Sequence, residues 1–265
     1  MPDTVRTVVL VTGATGAIGK AIAREIAAAP DHEVVVLARD RDKAARTVAE
    51  LRRQTGNEHV RHVLADLSRR ESIRALAAGW QGPLHVLVND AGVTPRRREE
   101  TPEGIELTFA TNVLGYFWMI DEFRPHLERS APAQVVNVAS YYAGDLDQDD
   151  LEFHRRRYDN NTAYRQSKQA NRMLTVAQAA ELVDAGIRVN ACHPGDVRST
   201  LSANLGFGGS DSPEEAAHTP AMLALARLGA TSTGRWFERG REAACPFARD
   251  RAAIDTLYEI CRSYG

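Results

Sequence analysis

The stretch "TVVLVTGATGAIGKAIARE", Thr7 to Glu25, decides the fold. Its first half is a short β-branched, apolar run, and its second half has helical period. Between them Gly13, Gly16 and Gly19 make a tight turn that opens a helix. Glycine lets the backbone come close to a phosphate, and a helix N-terminus offers unpaired N–H groups and a dipole that favours anions. A glycine-rich turn alone is weak evidence, but here the strand before it and the helix after it supply the context of a dinucleotide site.

Similar strand-like runs recur outward from that turn: "EVVVLAR" from Glu33, "HVRHVLAD" from His59, "LHVLVND" from Leu84, "AQVVNVAS" from Ala133 and "IRVNACHPG" from Ile187. Helical patterns lie between them, over Lys20–Ala29, Arg41–Gln54, Arg70–Ala78, Gly104–Leu127 and Ala163–Ala185. This alternation predicts an α/β fold, a doubly wound parallel sheet of Rossmann type with about seven strands and helices on both faces. The near-continuous apolar strands fit a sheet covered on both sides. No linker divides the chain, so one domain over 1–265 is expected, with "STLSANLGFGGSDSPEE", Ser199 to Glu215, as a substrate flap. A helix over Ala216–Gly229 and a seventh strand in "TGRWFERG", from Thr233, complete the reading.

Ligands of such sheets sit outside the carboxyl ends of the strands. The second strand ends at Arg39, about twenty residues past Gly19, where an acid would bind a ribose hydroxyl and an arginine a 2′-phosphate. Arg39 favours NADP(H), with NAD(H) the alternative if neighbouring Asp40 takes the ribose. In "NTAYRQSKQANRM", from Asn161, Tyr164 and Lys168 are four residues apart and share a helix face. A cation beside a phenol lowers its pKa from about 10, which would prepare Tyr164 as a general acid or base. The plainer reading is a surface helix with a lysine stem packed along an aromatic ring.

With 33 Lys and Arg against 35 Asp and Glu, the net charge of -2 gives no general field for nucleic acid or an anionic membrane. The three cysteines, Cys192, Cys245 and Cys261, show no C-x-x-C spacing and suit a reducing, cytoplasmic setting. The eight histidines include no H-x-x-x-H pair, so no metal site is expected. No secretion signal or membrane span is read in the sequence.

The glycine turn, "ADL" at Asp66, "NDAG" at Asn89–Gly92, "TNVLG" with Asn112, "VVNVAS" ending in Ser140, "AYRQSK" and "HPGDVRST" come in one order along nearly the whole chain. Together they resemble the short-chain dehydrogenase/reductase family. "ARD", "AYRQSKQANRML", "RVNACHPGDVRSTL" and "TGRWFE" are most similar to its retinol-dehydrogenase-like branch, which acts on hydrophobic alcohols and carbonyls, often with NADP. The membrane anchor of some members is not read here.

The resemblance implies that Tyr164 is the proton donor or acceptor and that Lys168 tunes it while binding the nicotinamide ribose. It implies that Ser140 hydrogen-bonds the substrate oxygen and that Asn112 anchors a water leading from Lys168 to solvent. For the cofactor it implies Gly13, Thr15, Gly16, Ala17, Ile18 and Gly19 at the pyrophosphate, and Asp66 and Leu67 at the adenine. Asn89, Ala91 and Gly92 would stand at the adenosine ribose and sheet edge, and Pro194, Gly195 and Val197 at the nicotinamide amide.

Two positions depart from the family pattern. The middle glycine is Gly16, where the common pattern has one at Ala17, as in longer sugar-nucleotide epimerases; and Asp90 stands where asparagine is usual. The expected activity is an NADP(H)-dependent alcohol dehydrogenase or carbonyl reductase with a small alcohol, ketone or aldehyde substrate. A homo-oligomer is compatible with this reading. An epimerase or dehydratase, or a dinucleotide sensor without turnover, are the alternatives. The arginine triplets Arg96–Arg98 and Arg155–Arg157 read either as a rim for an anionic substrate or carrier protein, or as a surface neutralised by Glu99, Glu100 and the acids of 145–152.

Overall fold

A computed structural model describes residues 6–265. The chain runs β1 (Thr7–Thr12), α1 (Ala17–Ala27), β2 (His32–Ala38), α2 (Arg41–Thr55), β3 (Val60–Leu64), α3 (Arg70–Ala78) and β4 (Val86–Asn89). A π-helical turn, Phe109–Leu114, then leads into α4 (Gly115–Arg129), followed by β5 (Ala133–Val138), α5 (Asn160–Leu182) and β6 (Ile187–His193). The rest is α6 (Thr200–Asn204), α7 (Pro213–Ala224), β7 (Trp236–Glu238), β8 (Arg241–Ala243) and α8 (Arg251–Ser263).

The strands form one eight-stranded sheet in the order β3-β2-β1-β4-β5-β6-β7-β8. All neighbours pair in parallel except β7 and β8. The order reverses direction between β1 and β4, the switch point where open α/β sheets bind their ligands.

Alternation along the strands divides the core between the two faces. Val9, Val11, Val34, Val36 and Val88 pack with Ile22 and Ile26 of α1, Leu51 of α2 and Leu223 of α7. Leu10, Leu37, Leu87 and Val135 face the other way, onto Ile73 of α3, Trp118 and Phe123 of α4, Met173 of α5 and Ile254 of α8. Local chemistry sets the helix starts. Asp40 caps α2 by accepting from the Lys43 N–H at 2.9 Å, Asp159 caps α5 by accepting from Thr162 at 2.8 Å, and Ser212 and Glu215 cap each other around Pro213.

The structure extends and corrects the sequence reading toward the C-terminus. The eighth strand and α8 lie beyond the elements that were read. The proposed flap is only partly irregular, because Ser199 and Ser202 close a capping box that starts α6 and because α7 begins at Pro213. The last predicted helix correspondingly ends at Ala224 instead of Gly229. Residues after Pro194 thus finish the sheet and its covering layers.

The turn from β1 into α1 tolerates little extra volume. A Cβ on Gly19 would stand 2.5 Å from the Gly13 carbonyl oxygen and 2.6 Å from Asp90 Oδ2. Gly19→Ala should destabilise the fold by about 1–3 kcal/mol, as overpacking does, and should weaken dinucleotide binding more than it lowers the melting temperature of the remainder. Thermal melts together with cofactor titration check this; a variant with normal melting and binding would mean the turn can relax.

Candidate functional site

The carboxyl ends of the strands frame two adjoining cavities. The first, of about 550 Å³, lies beyond β1, β2, β3 and β4. Its walls include Gly13, Thr15, Gly16, Ala17 and Ile18 from the glycine turn, Arg39 after β2, Asp66 and Leu67 after β3, and Ala91 and Gly92 after β4. Gly13 has φ +66°, and a Cβ there would lie 2.8 Å from the Ala91 backbone. Thr12 fixes the same approach, its Oγ1 accepting from the backbone N–H groups of Asp90 at 2.9 Å and Ala91 at 3.1 Å.

These features fit a dinucleotide. The first turn of α1 has neither a side-chain cap nor an acidic residue, so its free N–H groups suit a pyrophosphate. Arg39 is exposed at the rim of this groove. Asp40 is spent on capping α2, and the hydrogen bond from Lys43 holds its carboxyl below the usual carboxylate range.

The second cavity, of about 440 Å³, shares Ile18, Asp90, Gly92, Ser199 and Leu201 with the first. Ser140, Tyr164, Lys168, Pro194, Gly195 and Val197 all line it. Ser140 follows β5 and accepts from the Tyr142 N–H at 3.0 Å. Tyr164 and Lys168 come from α5 and are 9% and 3% exposed, so the surface-helix reading fails. The Lys168 ammonium donates to the Val138 carbonyl at 3.0 Å and stands 5.7 Å from the centre of the Tyr164 ring.

The electrostatics differ from the expectation drawn from spacing. Burial pushes the Tyr164 phenol up to about 12, against the lowering effect of a Ser140 hydrogen bond and with the Asp90 charge adding to the rise. Burial likewise pulls Lys168 below the ordinary lysine value, and the Asp90 charge opposes that fall. Removal from water therefore outweighs the helical pairing of cation and phenol.

Three expected residues lie behind the cavities. Gly19 is buried under the turn. Asn89 is fully buried and donates to Asn137 Oδ1 at 3.0 Å, so its side chain faces the core and not a ribose. Asn112 is fully buried within the π-helical turn. Its Oδ1 accepts from the Val93 N–H at 2.8 Å, and its Nδ2 donates to the Val93 carbonyl at 3.1 Å and to Ser167 Oγ at 3.3 Å. The amide is thus a clamp on the loop after β4, and its hydrogen bonds do not reach Lys168.

Sequence reasoning missed the aromatic wall of the second cavity. Tyr141 packs edge-on against His193 at 4.6 Å, and Tyr142 against Phe207 at 5.0 Å. The adjacency of Tyr141 and Tyr142 to Ser140 was an available signal; the partners across the cavity were not. The arginine triplets are partly neutralised, with Arg98 paired to Glu100 at 2.6 Å and Arg156 to Asp150 at 3.1 Å. Among the described residues no helix is long and apolar enough to cross a membrane, and no cluster of three His, Cys, Asp or Glu could hold a metal.

Comparison with known proteins agrees with this geometry. Residues 7–206 match the family described as short chain dehydrogenase. Human retinol dehydrogenase 13 (Homo sapiens) is 33% identical over 97% of this chain and 84% of its own. A crystal structure of a protein from Mycobacterium Paratuberculosis superposes with a TM-score of 0.80 at 27% identity, covering 97% of this chain and 92% of that one. The Pseudomonas aeruginosa RhlG/NADP active-site complex superposes with a TM-score of 0.69 at 28% identity, covering 88% and 94%.

Replacing Asn112 by alanine should leave the Val93 N–H and C=O without partners, at a cost of about 1–3 kcal/mol. Chemical denaturation should show that loss, and hydrogen exchange should show a loosened segment after β4. Unchanged exchange at Val93 would count against the clamp.

Proposed function

The chain belongs to the short-chain dehydrogenase family, in its retinol-dehydrogenase-like branch, and we propose that it is an NADP(H)-dependent oxidoreductase of small, hydrophobic alcohols and carbonyl compounds. The observation that carries this reading is the placement of Ser140, Tyr164 and Lys168 on one cavity that opens into the dinucleotide groove. When bound, the nicotinamide supplies or accepts the hydride.

The chain's own residues handle the oxygen and its proton. Tyr164 Oη gives its proton to the carbonyl oxygen, and the Ser140 hydroxyl hydrogen-bonds the same oxygen as negative charge develops there. A phenol held up to about 12 stays protonated at neutral pH, the form needed to reduce a carbonyl. In the reverse direction the same group, as phenolate, takes the proton of an alcohol, so Tyr164 serves either direction. Lys168 would hold the nicotinamide ribose by its ammonium. Tyr142, Leu201, Leu205 and Phe207 make the substrate walls largely apolar.

NADP(H) is the proposed cofactor because Arg39 lies free at the groove rim while Asp40 is committed to α2. NAD(H) remains the alternative if the 2′-phosphate makes no contact. The three free cysteines support a reducing, cytoplasmic location.

Tyr164→Phe should abolish NADPH-dependent reduction of ketones and aldehydes while leaving NADPH binding near wild type. Steady-state rates and fluorescence titration measure the two separately, and substantial residual turnover would remove Tyr164 from the role of proton donor. Arg39→Ala should weaken NADPH by about ten- to a hundredfold, the value of a lost charge-assisted hydrogen bond, and scarcely change NADH. An equal loss for both cofactors, or none for either, would refute the phosphate contact.

A further inference from the structure

Asp90 stands where the two cavities meet, lining both. Its backbone is held by Thr12, so its position is fixed by β1. On one side its carboxylate stands against Gly19 in the first turn of α1, where Oδ2 would lie 2.6 Å from any Cβ. On the other it lines the same cavity as Lys168, whose ammonium charge acts on it there. The usual asparagine of this family would carry no charge to either neighbour.

We propose that Asp90 is a positioning residue: its carboxylate is the counter-charge that keeps Lys168 an ammonium, and its close contact with Gly19 ties that charge to the pyrophosphate turn. This rests on the reading that Lys168 holds the nicotinamide ribose.

The surroundings leave the pair to balance itself. Tyr116 of α4 has its ring centre 5.4 Å from the Lys168 ammonium, and burial raises its phenol well above the ordinary value. Tyr164 of α5 is raised by burial as described, and burial also raises the Cys192 thiol of β6. These groups stay neutral around neutral pH. Among the described residues, Asp90 is thus the anion that acts on Lys168. The other named partner of the ammonium is the Val138 carbonyl, a dipole without net charge.

The direction of the coupling follows. Burial favours the neutral form of each group, and each charge favours the charged form of the other. Burial raises the Asp90 carboxyl above the usual carboxylate range, and the positive charge of Lys168 opposes the rise. Removing the carboxylate leaves Lys168 buried without a counter-ion, so it loses its proton at lower pH.

Asp90→Asn keeps the size and the contact with Gly19 but removes the charge. NADPH dissociation constants measured across pH should show the alkaline loss of affinity moving to lower pH by about one unit or more, with affinity near wild type on the acid side. Asp90→Ala also removes the contact with Gly19 and should add a loss that does not depend on pH. A wild-type midpoint in Asp90→Asn would overturn the proposal, leaving Asp90 only a support for the turn.

A measurement on the native residue guards against a variant that does not fold. In protein carrying ¹³C-labelled aspartate carboxyls, one carboxyl should titrate well above the usual aspartate range, and its midpoint should rise further in Lys168→Met. No such carboxyl, or a midpoint indifferent to Lys168→Met, would overturn the proposal as well. This readout needs neither cofactor nor turnover, so absence of oxidoreductase activity would sink the proposed function without deciding the role of Asp90.

Discussion

Everything at the site is referenced to one close contact, where the end of β1 meets the end of β4. Thr12 accepts from two successive N–H groups after β4, and Gly13 passes so near Ala91 that no side chain could stand between them. The helices that follow β1 and β4 cover opposite faces of the sheet, so this contact joins the two halves of the fold at their point of divergence. The glycine turn gains its position from it, and so does the loop that Asn112 clamps. Widening it would move the floor of the dinucleotide groove relative to α5, and with it the phenol and ammonium.

The second organising principle is removal of charge from water. Tyr164, Lys168, Tyr116 and Cys192 are packed around one small region, and burial shifts each toward its neutral form. A single carboxylate in such a place has influence that a surface acid lacks, because little solvent screens it. The replacement of asparagine by aspartate at position 90 therefore changes the electrostatics of the whole cluster, although it alters the shape of the chain very little.

Much of this was legible in the sequence because strands ending in glycine, serine or asparagine mark where a parallel sheet presents its ligands. The turn residues and Ser140 lie at strand ends as that rule expects, whereas Tyr164 was read from helix spacing and the segment Pro194–Val197 from the family resemblance. What stayed hidden depended on burial or on partners distant in the chain. Spacing put Lys168 beside Tyr164 but could not say that both are enclosed, which reverses the expected effect on the phenol. Asn89 and Asn112 read as site residues, and what the sequence did not show is that their amides also hold core and backbone. The π-helical turn over Phe109–Leu114 has no pattern of its own and was read as ordinary helix. β8 is three polar-rich residues with no apolar run to announce it. By contrast, α8 was within reach, since Asp250 is a cap and Ile254, Leu257 and Cys261 recur on one helical face.

That short eighth strand has a bearing on how copies of the protein meet. A parallel sheet that simply stopped would offer its last strand's unpaired N–H and C=O groups to any extended chain. Here the direction reverses at β7, and the sheet ends in Arg241 and Glu242, both exposed. At the opposite margin, Arg61 of β3 pairs with Glu33 of β2 at 2.6 Å and lies over the Trp80 ring. Each border thus presents charge and, on one side, a ladder only three residues long. A stray strand arriving at either border would have to strip water from those charges for very few backbone bonds, which disfavours growth of the sheet from one molecule into the next.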